Sequence, residues 1–216
     1  MNEVVQMDQT QQLAQLHAYT YEKLSHDHTG HDMAHIERVV KMARNLNEKL
    51  GGNSFVVQAA ALLHDVVDEK LFTDIDQAKA SVIAQMQALE VSQSDQDHIM
   101  EIISKMSFSH SLAGKQEPSL EGQIVQDADW LDAIGIARAI YYGARHEEKL
   151  YDPAMPPREK LDKTAYRDLS NETIINHFYE KLFKIKDMLN TAEAKAIAQE
   201  RHELMVAYVT AFKTDW

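Results

Sequence analysis

The residues best equipped for chemistry in this 216-residue sequence are histidines and aspartates at three separated places. The segment SHDHTGHDMAHIERVV holds His26, His28, His31 and His35 within ten positions. The dipeptide His64–Asp65 follows the apolar run of AALLHDVVDEK, and VQDADWLDAIG carries Asp127, Asp129 and Asp132. Histidine density alone has several causes, and an isolated His–Asp pair is ordinarily a core histidine hydrogen-bonded to an acid. The order of the groups changes that reading: a helical histidine, then His–Asp, then acids, each on its own predicted helix. Two imidazoles and two carboxylates make a mixed nitrogen and oxygen set suited to Mn²⁺, Fe²⁺, Co²⁺, Ni²⁺ or Zn²⁺. With no cysteine in the chain, a metal must be held by His, Asp or Glu. Facing helices can point such groups inward and leave coordination positions open to water.

The elements that must position these groups are helical almost throughout. Val5, Leu13, Leu16, Tyr19 and Leu24 fit one stripe of a first helix. Ile36, Val39, Val40, Ala43 and Leu46 fit a second, from about Met33 to the Gly51–Gly52 stop. SFVVQAAALLHDVVDE is apolar nearly all round and predicts a central, buried helix running through His64 to Asp68. Two helices are expected near 76–90 and 93–106, the second capped by Ser92. SLEGQIVQDADWLDAIGIARAIYYGARH continues helical, with Gly135 as a kink or close-packing point. Residues 147–169 hold three of the four prolines and read as a loop or lid. Two long amphipathic helices close the chain. The expected fold class is all-α, a single-domain helical bundle over 1–216. It comprises an N-terminal helix and loop (1–28), a core (29–146), the loop (147–169) and C-terminal helices (170–216).

The pattern H…HD…D, with H-x-x-R-V at His35, H-D-x-x-D from His64 and A-D-x-L at Asp129, resembles the HD-domain metal-dependent phosphohydrolases. GHDMAHIERV, ALLHDVVDEK, DADWLDAIGIAR and INHFYEKLFKIKDMLNT extend the likeness to the small, single-domain bacterial branch, from Thr29 to the C-terminus. The resemblance implies a metal site of His35, His64, Asp65 and Asp129 between central helices. It implies one divalent ion, Mn²⁺ favoured over Fe²⁺, Co²⁺, Ni²⁺, Zn²⁺ or Mg²⁺. The extra paired histidines of binuclear members are not evident, although His110 is a candidate for a second-metal ligand. The acids of DAD point about 200° apart on a helix, so one ion takes one of them. The family's Ala–Asp pairing favours Asp129 and leaves Asp127 to support His35 or His64, with the reverse assignment as the alternative. Asp68, favoured over Glu69, is the acid that positions the attacking water or relays a proton. It is expected on the same helix face as His64 and Asp65. Arg38, one turn past His35, is the candidate to bind a phosphate oxygen or neutralise a ligand acid.

The remaining charges narrow the partner. A net charge of −12 repels a nucleic-acid polymer, whereas a metal or a few local cations can still reverse the potential for a small anion. A small phosphorylated substrate, nucleotides being the family's commonest, is therefore expected over a polymer. The alternatives are an HD-fold hydrolase or hydratase acting on a non-phosphate compound, and a nucleotide-binding regulatory module without turnover. Lys105 and Arg145 are expected as surface charges, His26 and His28 as exposed loop residues, and His31 with Asp32 at the pocket edge or capping the helix. Tyr141, Tyr142 and His177 are expected to pack, as are Met100 and Met106. MNEVVQMDQTQQ lacks the basic and apolar regions of a signal peptide, and no apolar run approaches the roughly 18 residues of a membrane span. The expectation is a cytoplasmic protein, its oligomeric state open, a homodimer among the options.

Overall fold

A computed structural model describes residues 7–68, 71–106, 117–145, 149–159 and 173–216. The described residues are helices and their connections, so the all-α fold class holds. His110 and Glu69 lie outside the described residues, as do 147–148 and 160–169 of the expected loop. No helix among the described residues is long and apolar enough to cross a membrane.

The chain forms two compact units, the first comprising residues 1–27, 31–106 and 118–125. In it, α1 (Gln9–Leu24) starts at Asp8, which forms a reciprocal capping box with Gln11. The next helix, α2 (Met33–Leu50), is capped by Asp32 and ends at Gly51 in the left-handed conformation. Asn53 caps α3 (Ser54–Leu63) by accepting from Phe55 and Val56 N–H. Helix α3 packs against α1, α2 and α5 (Gln93–Lys105). That enclosure buries Phe55, Val56, Val57 and every residue from Ala59 to Leu63, and explains why its sequence is apolar all round. Helix α4 (Ile75–Ala88) and α5 fall where the periodicity predicts, and Ser92 caps α5 by accepting from Asp95 N–H.

The buried helix does not run through His64 to Asp68 as expected. The α-helix ends at Leu63; His64–Val67 form a single 3₁₀ turn, and Asp68 is already extended (φ −76°, ψ 129°). The i+4 argument that put Asp68 on the helix face of His64 therefore does not describe its backbone. The ending has a side-chain cause, because the last carbonyls of a helix need donors. Ala61 C=O accepts from His64 Nδ1 at 2.9 Å and Leu62 C=O from Thr20 Oγ1 at 3.1 Å.

The second unit comprises residues 28–30, 107–117 and 126–216, so the boundary falls inside α6 (Leu120–Ala133). The expected continuous helix across Gly135 is two: α7 (Ile136–Arg145) begins after the Ile134–Gly135 break, where Gly135 N–H donates to Asp132 C=O. Residues 149–159 are tied down. Ile174 and Ile175 N–H donate to Lys149 and Leu150 C=O, and Asn176 Nδ2 donates to Met155 C=O. Arg158 gives its backbone N–H, Nε and Nη2 to the buried Glu180 carboxylate at 2.7, 3.0 and 2.6 Å. The first of the two expected C-terminal helices is interrupted: α8 (Ile174–His177) passes through a π turn (Phe178–Leu182) into α9 (Phe183–Met188). The last, α10 (Ala192–Asp215), is one long helix capped by Thr191, which accepts from Ala194 N–H.

Candidate metal centre

The site grows from two helix ends within the first unit. Asp32, the cap of α2, accepts from His35 N–H at 3.0 Å and so fixes the first turn on which His35 stands. His64 and Asp65 open the 3₁₀ turn that ends α3. All three side chains are buried, at 2% (His35), 6% (His64) and 4% (Asp65) exposure. His35 Nε2 and His64 Nε2 are 3.3 Å apart. Asp65 Oδ2 lies 3.3 Å from His35 Nε2, and Oδ1 lies 3.3 Å from His64 Nε2.

Hydrogen bonding sets the chemistry of these atoms. A backbone carbonyl only accepts, so His64 Nδ1 carries the proton it gives Ala61, and in the neutral ring Nε2 carries the lone pair. That lone pair faces another imidazole nitrogen and a carboxylate. Asp65 Oδ2 is fully enclosed and has no well-directed hydrogen bond, its one near donor being His35 Nε2 at 3.3 Å. Such an atom is costly in a protein interior unless a cation faces it. Burial by itself would raise the Asp65 carboxyl pKa; the imidazoles of His64, His31 and His35 outweigh it and hold the group well below the usual carboxylate range. The acid is thus kept ionised. An ion about 2.1 Å from each ligand separates neighbouring ligand atoms by about 3.0–3.4 Å, the spacing seen among these three side chains. The donor set fits a divalent metal.

His31 joins this cluster at its edge, 8% exposed, with its ring edge-on to that of His35 at 6.0 Å. Its backbone N–H donates to Asp27 Oδ2. His26 and His28 are exposed, as expected. Arg38 is exposed on α2, one turn beyond His35, and Asp68 is half-buried. Lys105 pairs with Glu101 on the surface at 2.7 Å. Arg145 is exposed, its Nε donating to the Tyr141 hydroxyl at 3.3 Å.

The acids of the third motif separate in the second unit. Asp127 is fully buried, and both oxygens are engaged. Oδ1 accepts from Asn190 N–H and Nδ2 at 2.8 and 2.9 Å; Oδ2 accepts from Thr191 N–H and Oγ1 at 2.8 and 2.7 Å. Burial pushes its pKa up, against the pull of those four donors. Asp127 therefore anchors the residues that lead into α10. Asp129, two residues on, is half-buried on the same helix. Sequence reasoning missed two arrangements in this unit: the Arg158–Glu180 anchor, and Arg138 with Tyr142 and His177. The expectation that Tyr142 and His177 pack is met by their stacking on each other, centroids 5.8 Å apart. A small positive signal was available, since GIAR places an arginine three residues after a helix-breaking glycine.

Helices throughout, with an imidazole–imidazole–carboxylate cluster assembled by a His…His–Asp motif, define the HD-domain hydrolase fold. A family model for the HD domain matches residues 33–134, and the chain belongs to the HD-domain superfamily. Its particular relatives are similar over almost their whole length. A crystal structure from Lactobacillus plantarum has 47% identity and a TM-score of 0.86, covering 95% of this chain and 96% of that one. YpgQ of Bacillus subtilis is 34% identical over 213 residues, which cover 97% of this chain and 96% of that protein. In its crystal structure in complex with ADP, YpgQ superposes with a TM-score of 0.75 at 32% identity, covering 94% of this chain and 97% of that one. An HD-superfamily hydrolase from Bacillus thuringiensis matches at 35% identity and a TM-score of 0.75, covering 97% of this chain and 98% of that one.

Proposed function

We propose that this protein is a metal-dependent phosphohydrolase acting on a small phosphorylated metabolite, a nucleotide above all. The observation that carries this reading is the buried trio His35, His64 and Asp65, in which a carboxylate oxygen without a well-directed hydrogen bond and a lone-pair-bearing imidazole face the same point. Those three side chains, with Asp129 supplying a carboxylate oxygen, would hold one divalent ion, Mn²⁺ favoured. A divalent ion bound there would supply Lewis acidity towards a phosphoryl oxygen and a water. Asp68, just past the 3₁₀ turn, takes or relays the proton of the attacking water. Arg38 offsets negative charge as the phosphoryl group transfers. A net charge of −12 favours a small substrate over a polymer, and the crystallisation of the relative YpgQ with ADP supports a nucleotide.

The test is release of phosphate and pyrophosphate from a nucleotide panel with Mn²⁺, using wild type and His64→Ala. The reading expects release by wild type and none above background from the variant. Equal release by both would remove the site, and no release from any phosphorylated compound by metal-loaded wild type would favour a non-phosphate substrate or a regulatory role.

A further inference from the structure

The second unit holds a cation whose surroundings call for an anion. The Arg138 side chain on α7 is only 12% exposed, and its Nε is fully enclosed with no hydrogen-bond partner. The acid facing it, Asp132, is 3.7 Å away, an ion-pair distance too long for a hydrogen bond. A second arginine, Arg201, also lies in the field of Asp132 and gives its Nη1 to Leu131 C=O. The pair with Asp132 leaves Arg138 Nε without a hydrogen bond, so neutralising Asp132 does not by itself account for Arg138. A buried guanidinium has five N–H donors to satisfy, and leaving them unmade is expensive.

The surroundings brace the side chain. The Tyr142 ring lies beneath the guanidinium, 5.0 Å from Cζ, and Tyr142 stacks on buried His177 with planes 23° apart. On another side the chain approaches through Gly30 at φ +101°, where a Cβ would stand 3.2 Å from Arg138 Nη1. A flat cation backed by an aromatic stack, oriented by a carboxylate and approached by bare backbone is held for recognition of a planar or tetrahedral oxyanion. Asp132, its partner, follows Asp129 by three residues on α6, and residues at that spacing share a helix face. The acid that pairs with Arg138 thus stands one helical turn beyond the acid proposed above as a ligand.

We propose that Arg138 binds a phosphate group of the substrate, with Tyr142, His177 and Asp132 holding its guanidinium in place. This rests on the phosphohydrolase reading and adds to it an enclosed anion contact, beside the one proposed for the exposed Arg38. The test is calorimetric titration of ADP into Mn²⁺-saturated wild type, Arg138→Gln and Arg138→Lys, with Mn²⁺ affinity and melting temperature measured alongside. Loss of the fork should weaken ADP at least about tenfold in Arg138→Gln, with Mn²⁺ affinity within about twofold of wild type. Lysine keeps the charge and the stem but not the bidentate geometry, so Arg138→Lys should fall in between. If Arg138→Gln does not fold, Arg138→Lys decides, by a weakened ADP affinity at an unchanged melting temperature. ADP affinity equal to wild type in the folded variants overturns the role of Arg138 alone. A parallel loss of Mn²⁺ affinity overturns it in favour of a structural role. Wild type that binds no ADP at Mn²⁺ saturation removes the nucleotide reading itself, and Arg138 with it.

Discussion

Two buried aspartates, Asp65 in the first unit and Asp127 in the second, show how one residue type takes opposite parts. Asp127 accepts four hydrogen bonds at 2.7 to 2.9 Å, all from Asn190 and the cap Thr191, the two residues just before α10. A carboxylate held there fixes the cap residue Thr191 and lies near the positive end of the helix dipole. Asp65 has one oxygen without a well-directed hydrogen bond and imidazoles at 3.3 Å on either side. Both are as enclosed as core residues, so burial does not tell them apart. Hydrogen-bond satisfaction does: the complete set is a fixture of the fold, and the incomplete one suits the cation proposed above.

Substitution can break that contrast at either end. The largest effect is expected for Asp65→Ala and His64→Ala, measured as Mn²⁺-dependent turnover. Loss of a ligand should cost more than the roughly 10–100-fold typical of removing a ligand's supporting partner, with folding retained by circular dichroism. Asp127→Asn should do the converse. Putting an amide where two donors converge strands buried groups and should cost about 2–4 kcal/mol in urea unfolding, while turnover per folded molecule stays near wild type. If Asp127→Asn removed activity from folded protein, the assignment of the two acids would be reversed.

Metal addition sharpens the same contrast without mutation. Saturating Mn²⁺ at 100 times its dissociation constant stabilises a native state by about 2.7 kcal/mol, a rise in melting temperature of about 5–10 °C for a chain of this size. The rise should vanish on chelation and in His64→Ala, yet persist in Asp127→Asn measured against its own lower baseline. The smallest effect is expected for Lys105→Ala, which removes an exposed i,i+4 pair with Glu101 and should change stability by less than about 0.5 kcal/mol. A larger change there would mean that surface pairs rival the buried acids, and the contrast would lose its meaning.

Helix existence was legible in the sequence because apolar periodicity and caps act locally. Ser92, Gly51 and the apolar α3 did what their chemistry predicts. The grouping of His35 with His64–Asp65 was legible from the motif. Less so was the end of α3, where the His64 ring caps Ala61 and Thr20 caps Leu62; the second bond comes from a residue 42 positions away. The π turn at Phe178–Leu182 carries no clear periodic signature, whereas the break before α7 falls at Gly135, the expected kink. The two acids of DAD are told apart in the sequence only by the resemblance, because the partners of Asp127 are Asn190 and Thr191, more than 60 residues downstream. Arg138 was passed over for a similar reason. Its distinction is enclosure against Tyr142 and Asp132, which only tertiary structure supplies.

The most direct measurement of the central claim is anomalous diffraction from crystals of this protein soaked in Mn²⁺. The account predicts one strong peak about 2.0–2.3 Å from His35 Nε2, His64 Nε2 and a carboxylate oxygen of Asp65, with Asp129 as the fourth protein ligand. A peak on Asp127, or none at His35, His64 and Asp65 with the metal in excess, would contradict it.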